Sequence, residues 1–208
     1  MLVTFILMSK ILIQFAHPAF SRSRVHKSLV KQVRDLKGVT FNDLYENYPD
    51  LFIDVRREKE LLLEHDIIIL QHPFYWYSGP PIIKQWLDLV LEYNWAYGPE
   101  GRALVGKKMF NAISCGSGEH AYSNAGHHSY PVSQFLLPFK QTAILCNMDY
   151  LPPFIVYGSH HLDVASLDEN AHNYGVIIRK LVNDELPAGR YKNIDYLNEL
   201  TVTQPSDK

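Results

Sequence analysis

Short apolar runs alternate along the chain with segments whose apolar residues recur every three or four positions. Residues 66–73 (DIIILQHP) are the strongest run, and because it is apolar on both faces it predicts a central strand covered on both sides. In residues 80–91, Ile83, Trp86 and Val90 recur at helical spacing. This alternation predicts βαβ units and a parallel sheet with helices on both faces.

The same patterns set the bounds of the predicted elements. The predicted strands cover residues 10–15, 39–45, 66–73, 107–114 and 149–157. The predicted helices cover residues 21–36, 54–65, 80–91, 131–145 and a last helix from Asp168, with Tyr174, Ile178 and Leu181 facing inward. The sequence therefore predicts an α/β fold, a doubly wound five-stranded parallel sheet, in one domain spanning residues 1–208.

The two ends of the chain are less regular than its middle. The core is expected over about residues 10–185, followed by an irregular tail after Pro187. Residues 1–7 can be read either as an extension of the first strand or as residues ahead of a start at Met8.

A doubly wound sheet binds its ligand outside the carboxyl ends of its strands, where the strand order reverses. Three predicted loops leave strands at that edge, and they cover residues 17–24, 73–79 and 114–128. We therefore expect a ligand site formed by these three loops.

The composition and net charge argue against several classes of function. The chain has 208 residues, 47% of them hydrophobic and 20% charged, with a net charge of −2. Without a basic field, nucleic acid is not expected as a partner. The apolar N-terminal stretch lacks a basic leader and is interrupted by Lys10, so it predicts neither a signal peptide nor a membrane span. With two cysteines there is no disulfide framework, which favours a reduced, cytoplasmic setting.

The first loop, HPAFSRSRVHK, opens a helix directly after a strand. Ser21, Ser23 and the backbone N–H groups of residues 23–26 could cradle a phosphate at the helix N-terminus, with Arg22 or Arg24 adding charge. The alternative is that Ser21 or Ser23 only caps the helix. Neither the G-x-G-x-x-G pattern nor the P-loop pattern is present.

The second and third loops differ in character. The second carries consecutive aromatic residues. If they face the site, they would cover the face of a planar ligand; the alternative is that they belong to the core or to a dimer interface. The third contains CGSGEH, whose small residues allow the main chain to approach a ligand closely. The adjacent pairs His127–His128 and His160–His161 do not predict a metal site, because neighbouring histidines rarely present both rings to one ion.

With FAHP after the first strand, QHPFYWYSGPPIIKQWLD after the third, WAYG at residues 95–98 and the SCGSGE loop, the chain resembles the flavodoxin-like NAD(P)H:quinone oxidoreductase family. Within that family it is most similar to the ancillary oxidoreductases of bacterial glutathione-regulated potassium-efflux systems. The resemblance covers roughly residues 10–185, and the P-x-x-W-Y-S-x-P-P-x-x-K-x-W run is its most specific part.

The resemblance implies a flavodoxin-like fold, a non-covalent flavin, a homodimer and transfer of a hydride from NAD(P)H through the flavin to a quinone or similar acceptor. The short C-terminal part favours FMN, with FAD as the alternative. By motif, the implied flavin-binding residues are His17, Ser23, Arg24, Val25, His26, Pro73, Phe74, Tyr75, Trp76, Cys115, Gly116, Ser117 and Gly118. His26 and Cys115 depart from the residues common in relatives and are expected to act through their backbone N–H groups.

The resemblance also implies residues for proton movement and substrate. Tyr122 and His128 would assist proton transfer, although the spacing leaves His127 as an alternative to His128. Tyr97, supplied by the partner subunit, and Trp76 would line the substrate pocket. On this basis we expect the Trp76→Ala substitution to weaken flavin binding or turnover far more than His160→Ala.

Two other functions remain open from the sequence. The first is a regulatory flavoprotein that activates a potassium-efflux membrane transporter and so lies at the inner face of the membrane through that partner. The second is an electron-carrying flavodoxin, which the near-neutral charge disfavours.

Overall fold

The computed structural model describes residues 8–186, 191 and 193–201. The strands are β1 (Ile11–Phe15), β2 (Val39–Asp43), β3 (Ile67–Pro73), β4 (Lys108–Ser114), β5 (Asp149–Tyr150) and β6 (Phe154–Val156). The helices are α1 (Arg24–Val33), α2 (Leu44–Asn47), α3 (Val55–Glu64), α4 (Pro81–Val90), α5 (Val132–Phe135), α6 (Leu137–Leu145) and α7 (Val164–Val182).

All strand pairs are parallel, and the sheet runs in the order β2-β1-β3-β4-β5, with β6 also paired to β4. The chain turns to one side of β1 to form β2 and returns to the other side to form β3. The switch in strand order therefore lies between β1 and β3. The predicted fold class is confirmed.

The two faces of the sheet bury separate apolar clusters, because successive side chains of a strand point to opposite faces. On one face, Leu12, Ile68 and Ile113 meet α3, α4 and α6. On the other face, Ile13 and Phe110 meet α1 and α7. The apolar run of β3 is fully buried, as its sequence predicts.

One face also contains a buried carboxylate. Glu58 of α3 is fully buried, and its carboxylate accepts hydrogen bonds from five side chains: Gln14 (2.7 Å), Asn42 (3.0 Å), Tyr48 (2.7 Å), Arg57 (2.6 Å) and Trp86 (2.9 Å). These donors come from β1, β2, the end of α2, α3 and α4. The network therefore joins two strands to three helices.

Prolines explain two differences from the predicted elements. The fifth strand is divided into β5 and β6, because Pro152 and Pro153 between them have no N–H to donate to β4. The predicted helix 131–145 is divided into α5 and α6, and Pro138 occupies the first turn of α6, where a missing N–H costs little.

The last helix begins earlier than predicted, and part of the tail is ordered. Helix α7 starts at Val164 because the Asp163 side chain caps it, accepting from the Ser166 N–H at 2.7 Å. Beyond Pro187, which lies outside the described residues, Asn198 exchanges two hydrogen bonds with the backbone of Ile155 in β6. Residues 1–7 also lie outside the described residues. In the described part of the chain, no helix is long and apolar enough to cross a membrane.

Candidate functional site

A cavity of about 510 Å³ opens at the carboxyl ends of β1, β3 and β4, beside the switch point. Its walls come from all three predicted loops and from the loop after β6. They are formed by His17, Ala19, Arg22, Ser23, Arg24, Val25, Pro73, Phe74, Tyr75, Ser114, Gly116, Ser117, Tyr122, Ser159 and His160. A second cavity of about 650 Å³, beside β5 and lined also by Tyr191, Ile194 and Asp195, contains none of the predicted site residues.

The first loop brings the N-terminus of α1 to the cavity. Ser23 is the N-cap, and its hydroxyl oxygen accepts from the His26 N–H at 3.1 Å, so Ser23, rather than Ser21, caps α1. Its own hydrogen stays free to face the cavity. The N–H groups of Arg24 and Val25 lie in the first turn, which has no earlier carbonyls in the helix to bond. The wall formed by Ser23, Arg24 and Val25 is therefore rich in hydrogen-bond donors.

Hydrogen bonds within the protein hold the side chains of Arg24 and His17 in this loop. The Arg24 guanidinium donates to the Leu162 carbonyl at 3.1 Å, which ties α1 to the loop before α7. The Ala19 N–H donates to Nδ1 of His17 at 3.1 Å, so Nε2 carries the proton of the neutral ring. Burial lowers the pKa of His17.

His26 differs from its predicted place. The residue is fully buried behind the cavity wall, where its ring meets Ser114 and Gln71, and its N–H is taken by Ser23. Neither its side chain nor its backbone N–H is available to a ligand. The helical spacing explains this, because residue 26 falls on the same face of α1 as the buried Leu29, Val30 and Val33.

The second loop is a tight turn whose tip leaves the cavity. Tyr75 and Ser78 exchange two backbone hydrogen bonds (3.1 and 3.0 Å), and both residues between them have positive φ, Trp76 at 49° and Tyr77 at 62°. This is a type I′ hairpin turn formed without glycine, at a cost of about 1–3 kcal/mol for each left-handed residue. It directs the Trp76 indole outward, 93% exposed, whereas Pro73, Phe74 and Tyr75 line the cavity.

The third loop contributes Gly116 and Ser117 to the cavity, whereas Cys115 and Gly118 do not line it. The Cys115 side chain is fully buried, and its N–H donates to the Val156 carbonyl at 2.8 Å, so it cannot serve a ligand as predicted. Burial raises the pKa of this thiol to about 12. At Gly116 an added Cβ would meet Nε2 of His160 at 3.0 Å, so glycine allows this ring to close over the loop.

Tyr122 and His128 lie together. Their rings stack with centroids 4.3 Å apart and planes 19° from parallel, whereas His127 is exposed on the outer side. The structure therefore places His128, not His127, beside Tyr122. Tyr122 lines the cavity, and burial raises its pKa to about 12. His128 reaches the cavity through Ser117, whose hydroxyl lies 3.0 Å from its Nε2.

Tyr97 lies away from this cavity, in a separate cleft of about 250 Å³ between α4 and α6. The cleft also contains Leu87, Leu145 and Cys146. Within one chain, Tyr97 is therefore not part of the site.

Sequence reasoning missed Ser114, Ser159 and His160 as cavity residues. Ser114 ends a predicted strand at the ligand edge, which could have indicated it. Ser159 and His160 follow β6, the edge segment of the sheet, and they approach because the Ser159 N–H donates to the Cys115 carbonyl at 2.9 Å. No local motif marks that contact.

The strand order and the cavity at its switch point define a flavodoxin-like protein, a class that binds its ligand in this position. The chain belongs to the Flavodoxin-like fold family, whose sequence pattern matches residues 9–178.

Three relatives extend this comparison. The chain is 42% identical over 167 residues to the glutathione-regulated potassium-efflux system ancillary protein KefG of Enterobacter sp. strain 638, covering 80% of this chain and 91% of KefG. The crystal structure of general stress protein 14 from Treponema denticola, in complex with FMN, is 40% identical with a TM-score of 0.78 and covers 83% of this chain and 99% of that one. The NADPH-quinone reductase of P. pentosaceus is 30% identical with a TM-score of 0.73, covering 80% of this chain and 95% of that one.

Proposed function

We propose that the protein is a flavin-dependent NAD(P)H oxidoreductase that transfers two electrons, as hydride, from NAD(P)H through FMN to a quinone or similar acceptor. The observation that carries this proposal is the cavity at the switch point, where one helix N-terminus, an aromatic wall and a glycine-containing loop meet. Relatives named for FMN binding and for NADPH-quinone reduction support it.

The donor-rich end of the cavity fits a phosphate. The Ser23 hydroxyl and the first N–H groups of α1 point to the same place, where the helix dipole favours negative charge. Arg22 and Arg24 add positive charge, although one N–H of Arg24 is already used by Leu162. This single helix end matches the one phosphate of FMN, whereas FAD, the alternative, would bring a second phosphate and an adenosine.

The other end of the cavity fits the flat ring system. Pro73, Phe74 and Tyr75 would hold one part of it, and Gly116 with Ser117 would let the main chain approach its polar edge. When bound, FMN supplies the two-electron redox chemistry. The protein orients the nicotinamide and the acceptor in turn, and Trp76 at the rim would contact the acceptor.

Tyr122 and His128 are the proposed groups for proton movement, because reduction of a quinone consumes protons. With its pKa raised to about 12, Tyr122 holds its phenol proton at neutral pH and can donate a hydrogen bond into the cavity. His128 contacts Ser117 on the cavity side and the Tyr77 hydroxyl (3.3 Å) on the other. Because Tyr77 is half exposed, this arrangement links the cavity to solvent.

A homodimer is part of the proposal, with Tyr97 completing the partner's substrate pocket. Large apolar side chains are exposed on α4, on α6 and just after α4, as expected of a face that meets another copy. They include Leu89, Tyr93, Ile144 and Leu145.

A regulatory role is the second candidate, supported by the 42% identity to KefG, an ancillary protein of a potassium-efflux system. In that role the flavoprotein would dock on the membrane transporter and activate it. Both functions would use the same flavin site. Potassium-efflux assays with the flavin site disabled, alongside quinone reductase assays, would separate them.

The first experiment is to purify the protein, record its absorption spectrum and identify the released flavin by mass. We expect a yellow protein that releases FMN and oxidises NADPH or NADH when a quinone is added. A protein that takes up neither FMN nor FAD would contradict the proposal, and release of FAD would contradict the choice of FMN.

A further inference from the structure

Four side chains form a hydrogen-bonded series from helix α7 through the sheet to the cavity. The Tyr174 hydroxyl lies 2.9 Å from Oε1 of Gln71, and Nε2 of Gln71 lies 3.5 Å from Nδ1 of His26. Nε2 of His26 lies 3.0 Å from the Ser114 hydroxyl. The first three residues are fully buried, and Ser114, 8% exposed, is the member that lines the cavity.

Each hydrogen bond in this series is donated in the direction from Tyr174 toward Ser114, except that between Gln71 and His26 the amide N–H is the donor to the ring. Oε1 of Gln71 can only accept, so the Tyr174 hydroxyl donates to it, and the amide presents its N–H to His26. Nδ1 of His26 therefore accepts, and the neutral ring carries its proton on Nε2, which donates to the Ser114 oxygen.

Burial keeps the ring neutral, because it lowers the pKa of His26 well below 6.5. With its oxygen engaged by His26, Ser114 has its own hydrogen left to donate. The side of Ser114 that stays accessible is the cavity.

We infer that Ser114 is a further flavin-binding residue, donating a hydrogen bond from its hydroxyl to an acceptor oxygen of the flavin, and that His26 is a positioning residue that acts through Ser114. This inference rests on the proposed function. It gives His26 a role at the site even though the side chain never reaches the cavity. Tyr174 and Gln71 set the proton position on the imidazole.

The distant end of the series offers the sharpest test. In Tyr174→Phe the ring and its packing remain, but Oε1 of Gln71 loses the hydrogen bond that it accepts from the hydroxyl. The amide can then rotate and present Oε1 to His26, which favours a proton on Nδ1. Nε2 would become an acceptor for the Ser114 hydrogen, and the cavity would lose its donor.

The measurements are FMN affinity, followed by quenching of flavin fluorescence in the apoprotein, and the His26 tautomer, read from ¹⁵N shifts of the apoprotein. We expect an Nε2–H ring in the wild type and a shift toward Nδ1–H in Tyr174→Phe. Ser114→Ala and Tyr174→Phe should each weaken FMN binding about threefold to tenfold. In a Ser114→Ala background, Tyr174→Phe should have no further effect, because the two changes remove the same donor.

The control is Tyr48→Phe, which removes a buried tyrosine hydroxyl from the Glu58 network on the other face of the sheet and should leave FMN affinity unchanged. An Nδ1–H ring in the wild type, or a Tyr174→Phe effect that persists without the Ser114 hydroxyl, would overturn the inference while leaving the proposed function intact. A wild-type protein that binds no flavin would overturn both.

Discussion

The ring of Tyr122 lies face to face with the imidazole of His128, with centroids 4.3 Å apart, while the neighbouring His127 is exposed. This stack holds His128 where its Nε2 meets the Ser117 hydroxyl at 3.0 Å. Two adjacent histidines therefore have very different access to the cavity, and they provide a matched pair for experiment.

We expect His128→Gln to lower kcat for quinone reduction at least about tenfold, because a positioned acid–base group contributes about 10²–10⁴ in rate and Tyr122 would remain. FMN affinity should change little, since His128 does not line the cavity. His127→Gln is the control and should retain wild-type turnover. Steady-state kinetics with NADPH and a quinone would measure kcat for both variants. Equal losses of kcat in the two variants would rule out the role of His128 in proton movement.

His160 provides a second prediction and replaces an expectation from the sequence. Its ring lines the cavity and lies against Gly116, whereas the Trp76 indole is 93% exposed and outside it. His160→Ala should therefore weaken FMN binding about threefold to tenfold through loss of a wall contact or hydrogen bond.

His161→Ala serves as the control, because His161 is exposed and does not line the cavity. Trp76→Ala should leave FMN affinity within about twofold and raise the KM of the acceptor. Fluorescence titration with FMN would show whether this order holds. A large loss of FMN affinity in Trp76→Ala with none in His160→Ala would contradict this order and support a direct flavin contact by Trp76.

The sequence predicted the sheet well because its apolar runs and helical spacings depend on local residues. It also predicted most of the residues that line the cavity at the switch point, since loops at the carboxyl ends of parallel strands must meet. The structure differs from the sequence-based prediction in the placement of Trp76, His26 and His160, for different physical reasons. Left-handed backbone turned Trp76 outward, helix phase buried His26, and a long-range backbone contact delivered His160.

The buried Glu58 carboxylate should dominate stability on its face of the sheet. Glu58→Gln replaces an acceptor-only group with an amide whose NH₂ faces donors, including Trp86 Nε1 at 2.9 Å, and leaves the Arg57 guanidinium without its anion. We expect a loss of about 3–5 kcal/mol in the free energy of unfolding, measured in urea.

The matched control is Glu60→Gln, two positions along the same helix. Glu60 pairs with Arg56 at 3.0 Å, but the two side chains are 59% and 90% exposed. An exposed pair of this kind contributes about 0.5 kcal/mol or less. Similar losses for the two variants would show that the buried network adds no special stability.

Cys115 should be inert toward thiol reagents in the folded protein. Its side chain is fully buried, and burial raises the thiol pKa to about 12, so almost no reactive thiolate exists at neutral pH. Labelling with a maleimide should therefore proceed only in the presence of denaturant, with mass spectrometry of peptides locating the label. Rapid labelling of folded protein at Cys115 would instead favour a redox-sensing role for this residue.

The free energy of unfolding should decrease as the pH is lowered, because of His72. Its ring is fully buried, with Nδ1–H donated to the Pro73 carbonyl (2.9 Å) and Nε2 accepting from Asn111 (3.0 Å). Burial lowers its pKa from 6.5 to about 4. Between these two values the unfolded chain binds a proton that the folded chain excludes, so stability is complete above pH 6.5 and declines as the pH falls toward 4.

This one group should account for a loss of about 3 kcal/mol once the pH is below about 4. His72→Gln has no imidazole to protonate, so its unfolding free energy should decline less steeply from about pH 7 to about pH 4.5 than that of the wild type. The exposed His127→Gln variant should follow the wild-type slope. Urea unfolding of the three proteins across this pH range would measure the contribution of His72, because the carboxylates contribute equally to the pH dependence of stability in all three. Parallel slopes for wild type and His72→Gln would mean that His72 is protonated equally easily in both states.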